Sequence, residues 1–213
     1  MKLDKNVLTL YAVTNFNFSD NEISMTDKIT KGINGGVTCI QLREKNLPYE
    51  QFLKRALLIR KICKERNITF IVNDNIKIAI ESDADGVHIG QDDLNILETR
   101  KLIGNKVLGI SAQTVNQAIE AEKYGVDYLG VGAIFATQTK QDASIVAINT
   151  LKKISLTVSI PVVAIGGLNL NNIKKLKRSG IKGIAVSSAI FSSNDIENQT
   201  RNLLNLSKKV IEV

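Results

Sequence analysis

The chain of 213 residues has two cysteines, one histidine and an aromatic content of only 5%. Each shortage excludes a class of chemistry. Cys39 and Cys63 form no Cys-x-x-Cys pair and fall in an apolar strand pattern and on an apolar helix face, as reduced core thiols in a reducing compartment do. The lone histidine, His88, gives no zinc-ligand set and no Cys-His nucleophile, and on a strand a histidine is more often a hydrogen-bonded core residue than a catalyst. No apolar run is long enough to span a bilayer, and residues 1–14 lack a cationic region followed by an apolar stretch. A cytoplasmic protein, neither exported nor membrane-bound, is the expectation. The net charge of +7 favours small polyanions or nucleic acid, but the lysines are scattered over helix faces and the few aromatic residues do not interleave with them. Nucleic acid is therefore not expected as a partner.

What is present is an ordinary globular composition, 44% apolar and 23% charged, without a linker or low-complexity stretch. One domain over residues 1–213 follows. Short β-prone segments alternate with helical patterns eight times. The candidate strands are residues 8–13, 38–42, 69–73, 86–89, 106–110, 127–131, 161–165 and 183–187. After Pro48, which suits a first helical turn, Phe52, Ala56, Ile59 and Cys63 share one helix face. Thr114-Val115-Asn116-Gln117 has the pattern of a capping box, and Gly125 stands where that helix should end. Leu170, Ile173 and Leu176 ahead of Gly180 predict a seventh helix, and Leu203, Leu204 and Leu206 a last one. Strands flanked by helices are parallel and read as apolar runs, as Pro161 to Ile165 does. Eight such units predict a single-domain (β/α)8 TIM barrel of parallel strands, with an open doubly wound sheet as the alternative.

In a barrel the strand-to-helix junctions form the active face. Here they are polar. Alternation along a strand puts Gln41, Arg43 and Lys45 on one side and Leu42 and Glu44 on the other, and two cations so spaced suit a phosphate. Asn73 and Asp74, then Gln91, Asp92 and Asp93, follow the third and fourth strands. Asp74 and Asp93 fit a shared Mg2+ as oxygen ligands, while Asp92 or Asp93 fits equally the N-cap of the helix containing Leu94 and Leu97. Ser111 and Gln113 follow the fifth strand, and Thr137, Gln138, Thr139 and Lys140 lie in a longer polar segment that is either a closing flap or a solvated loop. Gly166-Gly167 and Ser187-Ser188 follow the last two strands, where barrels bind phosphate, although a Gly-Gly pair also makes a plain tight turn.

The phrases QLREK at 41–45, IVND at 71–74, ADGVHIGQDD at 84–93, LGISAQT at 108–114, DYLGVGAIFATQTK at 127–140, AIGGL at 164–168 and GIAVSSAI at 183–190 resemble, in order, the thiamine phosphate synthase family. The resemblance covers nearly the whole chain. It implies a Mg2+-dependent transferase of thiamine biosynthesis that joins a hydroxymethylpyrimidine diphosphate to a thiazole phosphate, releasing pyrophosphate through a pyrimidine-stabilised carbocation. By the same resemblance Gln41, Arg43, Lys45, Asn73, Ser111 and Lys140, within a QLREK phrase that includes Leu42 and Glu44, contact the pyrimidine diphosphate, and Arg43, Lys45, Lys140 and Ser111 do the catalytic work. Asp74 and Asp93 hold the metal. Thr137, Gln138, Thr139, Gly167, Ser187 and Ser188 hold the thiazole phosphate. Partners are then small phosphorylated molecules, with room for a homo-oligomer. Two positions depart from the pattern: Ala133, often proline in the family, and Gln113, commonly histidine. The related thiazole tautomerases carry a histidine near position 133 and tend to lose the acidic residue matched by Asp93, so Ala133 and Asp93 favour the synthase. The alternatives are a tautomerase-like enzyme and a silent paralogue that binds the precursors.

Overall fold

The structure, a computed structural model, describes residues 3–15, 22–91, 95–137 and 144–212. Eight parallel strands close in sequence order into a barrel, β1 pairing with β8. They are β1 (Leu10–Val13), β2 (Cys39–Leu42), β3 (Thr69–Asn73), β4 (Gly86–Ile89), β5 (Val107–Ala112), β6 (Tyr128–Val131), β7 (Val162–Ile165) and β8 (Gly183–Val186). Around them run α1 (Glu22–Asn34), α2 (Tyr49–Glu65), α3 (Ile76–Glu81), α4 (Ile96–Ile103), α5 (Val115–Lys123), α6 (Ile148–Thr157), α7 (Ser188–Phe191) and α8 (Ile196–Ile211). Closure removes every sheet edge and excludes the open-sheet alternative.

Alternation divides the apolar residues into two cores. Outward side chains such as Leu42, Val72, Val87, Leu129 and Ala164 meet the helices in one continuous layer. Inward ones, among them Tyr11, Cys39, Ile71, Tyr128, Val163 and Ala185, fill the barrel. Each fully buried side chain of this size contributes roughly 1.5–3 kcal/mol.

Local signals set the boundaries. Thr114 and Gln117 close the predicted capping box of α5, and its C-terminus is a Schellman turn: Gly125, with φ 76°, donates to Glu122 O and Val126 to Ala121 O. Pro48 is the N-cap of α2, one residue ahead of its predicted place. Two predictions need correction. Leu8 belongs to a 3-10 turn, Lys5–Leu8, whose cap Asp4 accepts from Asn6 N, and Leu3, Val7 and Leu8 plug the N-terminal end of the barrel. The predicted seventh helix is only a 3-10 turn, Ile173–Leu176. Asn169 and Asn172 satisfy nearby backbone groups from their side chains, which competes with an α-helix there. Among the described residues no helix is long and apolar enough to cross a membrane.

Candidate active site

The C-terminal ends of the strands gather the polar junctions. At the exit of β2, Gln41 is buried and turned inward, with its Nε2 donating to Tyr11 Oη at 2.9 Å. Arg43 and Lys45 follow beyond the strand end, and the backbone of Arg43 is held by its N–H donating to Thr14 Oγ1 at 3.0 Å. Among the described residues no carboxylate pairs with either cation. The two other residues of the phrase point elsewhere. Leu42 is fully buried in the helix-facing core, and Glu44 forms an ion pair with Arg55 of α2 at 2.8 Å, both side chains less than a tenth exposed. The predicted alternation holds for Gln41 and Leu42, the two residues of the phrase that lie in β2.

Asn73 ends β3 and pairs in register with His88 of β4. Asp74 turns away in the left-handed region, φ 61°, with its N–H on His88 O at 2.8 Å, and its side chain is exposed at the rim. The cap of α4, predicted for Asp92 or Asp93, belongs to Asn95, which accepts from Leu97 N, and Asn75 caps α3 by accepting from Ile78 N. Asp93 lies outside the described residues, as does Asp92. Among the described residues no three ligating side chains cluster. Hard oxygen donors in small number, completed by water and phosphate oxygens, are what Mg2+ takes, and the exposed carboxylate of Asp74 fits it.

On the far side of the mouth, Ser111 of β5 places its Oγ 3.1 Å from His88 Nε2. Gln113 reaches Gly132 O at 3.4 Å, joining the exits of β5 and β6. The segment after β6 is laid along β7: Ile134 donates to Ile165 O and Phe135 to Gly166 O. Gly166 and Gly167 have φ 95° and 64°, and a Cβ at Gly167 would stand 2.5 Å from Ala136 O. Their glycine character thus serves both a turn and a close approach, and the approach brings the residue before Thr137 against Gly167. Gln138, Thr139 and Lys140 lie outside the described residues, and so does most of the predicted flap. After β8, Ser187 Oγ is buried with no hydrogen-bond partner among the described residues, and Ser188 opens the short α7 in solvent. A buried hydroxyl without a partner costs roughly 1–3 kcal/mol, which a bound oxyanion would recover.

Three residues outside the predicted set complete the site floor. Tyr11, Tyr128 and His88 form hydrogen bonds inside the barrel, at 2.8 Å between the two hydroxyls and 3.0 Å from Tyr128 Oη to His88 Nδ1. Burial pushes both phenols well above the ordinary tyrosine range, so they remain protonated. His88 is a hydrogen-bonded interior residue, as its strand position suggested. The two tyrosines carried no such signal, since β1 and β6 meet only when the barrel closes.

The family model for thiamine monophosphate synthase matches residues 10–190. The chain belongs to that family. It is 48% identical to the thiamine-phosphate synthase of Ruminiclostridium cellulolyticum over 93% of this chain and 94% of that protein. It is 44% identical to the thiamine-phosphate synthase of Clostridium beijerinckii over 92% of this chain and 94% of the relative. Among solved structures, the thiamine phosphate pyrophosphorylase of Pyrococcus furiosus superposes with a TM-score of 0.89 at 34% identity, covering 97% of this chain and 98% of that one.

Proposed function

We propose that the chain is a thiamine-phosphate synthase, a transferase that joins hydroxymethylpyrimidine diphosphate to a thiazole phosphate and releases pyrophosphate. The observation that carries this reading is the pair Arg43 and Lys45, set at the mouth with no carboxylate partner among the described residues. Cations left unneutralised beside a concave polar site are placed for an anionic ligand.

Gln41, Asn73 and Ser111 hold the pyrimidine, and Arg43 and Lys45, with Lys140, hold its diphosphate. The bond from the pyrimidine methylene carbon to the diphosphate oxygen breaks first, and its electron pair leaves with pyrophosphate. The cations lower the barrier by meeting the charge that grows on the leaving group. Thr137, Gln138, Thr139, Gly167, Ser187 and Ser188 hold the thiazole phosphate, so that the ring nitrogen waits beside the methylene and captures the cation as the new C–N bond forms. Asp74 and Asp93 would hold Mg2+, which when bound supplies further positive charge to the diphosphate. No protein nucleophile takes part. Both cysteines are buried with thiols pushed up by burial, Cys63 to about 12. A tautomerase would need a base near position 133, where Ala133 is buried against Gly166. The substrates place the protein among small phosphorylated molecules, in the cytoplasm.

The test is pyrophosphate release from purified protein given both substrates and Mg2+, each omitted in turn. Release that needs all three, with thiamine phosphate formed, supports the reading. Well-folded protein that releases none refutes it.

A further inference from the structure

A chain of polar side chains crosses the barrel interior, and its two ends are the side chains assigned above to the pyrimidine. Gln41 Nε2 donates to Tyr11 Oη at 2.9 Å, Tyr11 Oη lies 2.8 Å from Tyr128 Oη, Tyr128 Oη 3.0 Å from His88 Nδ1, and His88 Nε2 3.1 Å from Ser111 Oγ. Four contacts link β2 to β5 through β1, β6 and β4. The three middle residues are each less than a tenth exposed. Space for them is provided by glycine: a Cβ at Gly109 would fall 2.1 Å from Tyr128 Cζ, and one at Gly130 3.1 Å from His88 Cε1.

Each phenol has one hydrogen to give, and burial keeps both phenols protonated. Tyr11 receives a hydrogen from Gln41 and shares one with Tyr128, Tyr128 meets His88 Nδ1, and His88 Nε2 meets Ser111 Oγ. Every link is held at both ends, so the Gln41 amide and the Ser111 hydroxyl are fixed in place where the strands end.

We propose that Tyr11, Tyr128 and His88 are positioning residues, whose hydrogen-bond chain fixes the orientation of Ser111 and Gln41 toward the pyrimidine ring. This rests on the assignment of the pyrimidine to Gln41 and Ser111. A barrel that needed only packing would fill the same volume with apolar side chains, leaving no buried polar groups to satisfy.

His88 is the only histidine, so its imidazole nitrogens give a single set of signals in 15N NMR of the full chain. Those signals are expected to shift when hydroxymethylpyrimidine diphosphate binds and to stay in place when the thiazole phosphate binds. Signals that do not move with the pyrimidine diphosphate overturn the proposal. Calorimetric titration then separates positioning from packing. Tyr128→Phe should weaken hydroxymethylpyrimidine diphosphate binding about tenfold, the worth of one oriented hydrogen bond. Its affinity for the thiazole phosphate should stay at the wild-type value. Tyr11→Phe, which cuts the chain at its other end, should weaken the same ligand and spare the other. Variants that bind both ligands as wild type does, or lose both equally with a lowered thermal midpoint, overturn the proposal and leave the chain a structural one. Wild-type binding of the pyrimidine diphosphate without turnover would count against the proposed reaction alone and leave this role standing.

Discussion

The two ends of the barrel use charge in opposite ways. At the N-terminal end the carboxylates are answered. Asp85 accepts from Phe70 N and pairs with Arg60, Asp127 accepts from Leu108 N and pairs with Arg100, and Glu122 accepts from Ser159 N, Ser159 Oγ and Ile160 N. Each ties the start of one strand to a neighbouring segment. Among the described residues at the C-terminal end, Arg43 and Lys45 have no such partner and Ser187 Oγ has no hydrogen-bond partner. One end spends its polar groups on the fold, and the other holds them ready for a ligand. The division agrees with what barrels do in general.

That comparison can be broken most severely at Glu44, which lies between the two cations in sequence yet pairs backward with Arg55. Removing the Arg55 guanidinium breaks a buried ion pair at a cost of roughly 3–5 kcal/mol. Arg55→Met should therefore lower the urea midpoint more than any other substitution discussed here, and an unchanged midpoint would place Glu44 with the ligand groups instead. Next comes Arg43→Ala. If this guanidinium meets the leaving diphosphate, turnover falls about 100- to 1000-fold, as for other removed charge-stabilising donors. The thermal midpoint should hardly move, and steady-state kinetics beside a melting curve reads both.

At the opposite end, Asp127→Ala leaves Leu108 N without its acceptor and Arg100 without its anion, worth about 1–3 kcal/mol. At this chain length that is a fall of several degrees in melting temperature. The rate per folded molecule should be that of the wild type. The smallest effect is one of pH. Hydrogen bonds from Ser159 hold the Glu122 carboxyl below its usual range, and those from Arg60 and Lys106 do the same for Asp83. A folded-state value below the unfolded one gives stability that is full above the unfolded value and lost as pH falls through the folded one. Melting temperature should decline on acidification below the ordinary carboxylate range, and Glu122→Gln should make that decline shallower.

Strand order and most helix limits were legible in the sequence because they depend on local pattern. Apolar runs, the Thr114 to Gln117 capping box and Gly125 each act within a few residues. Leu8 and the segment before Gly180 misled for the same reason: their apolar spacing is right, but Asp4 in one case and Asn169 with Asn172 in the other bind the local backbone. At the site, parity along β2 correctly separated Gln41 from Leu42. The chain through Tyr11, Tyr128 and His88 was not legible, because Tyr11 and Tyr128 are 117 residues apart and meet only across the closed barrel. Contacts of that kind are set by closure and register, which no short window of sequence contains.

The central claim is that ligand chemistry belongs to one end of the barrel and stability to the other. It is tested most directly by measuring pyrophosphate release and thermal midpoint on the same preparations of wild type, Arg43→Ala and Asp127→Ala. The account predicts a lost rate with an intact midpoint for Arg43→Ala, and a lowered midpoint with an intact rate per folded molecule for Asp127→Ala. An Arg43→Ala protein that turns over at the wild-type rate would contradict it.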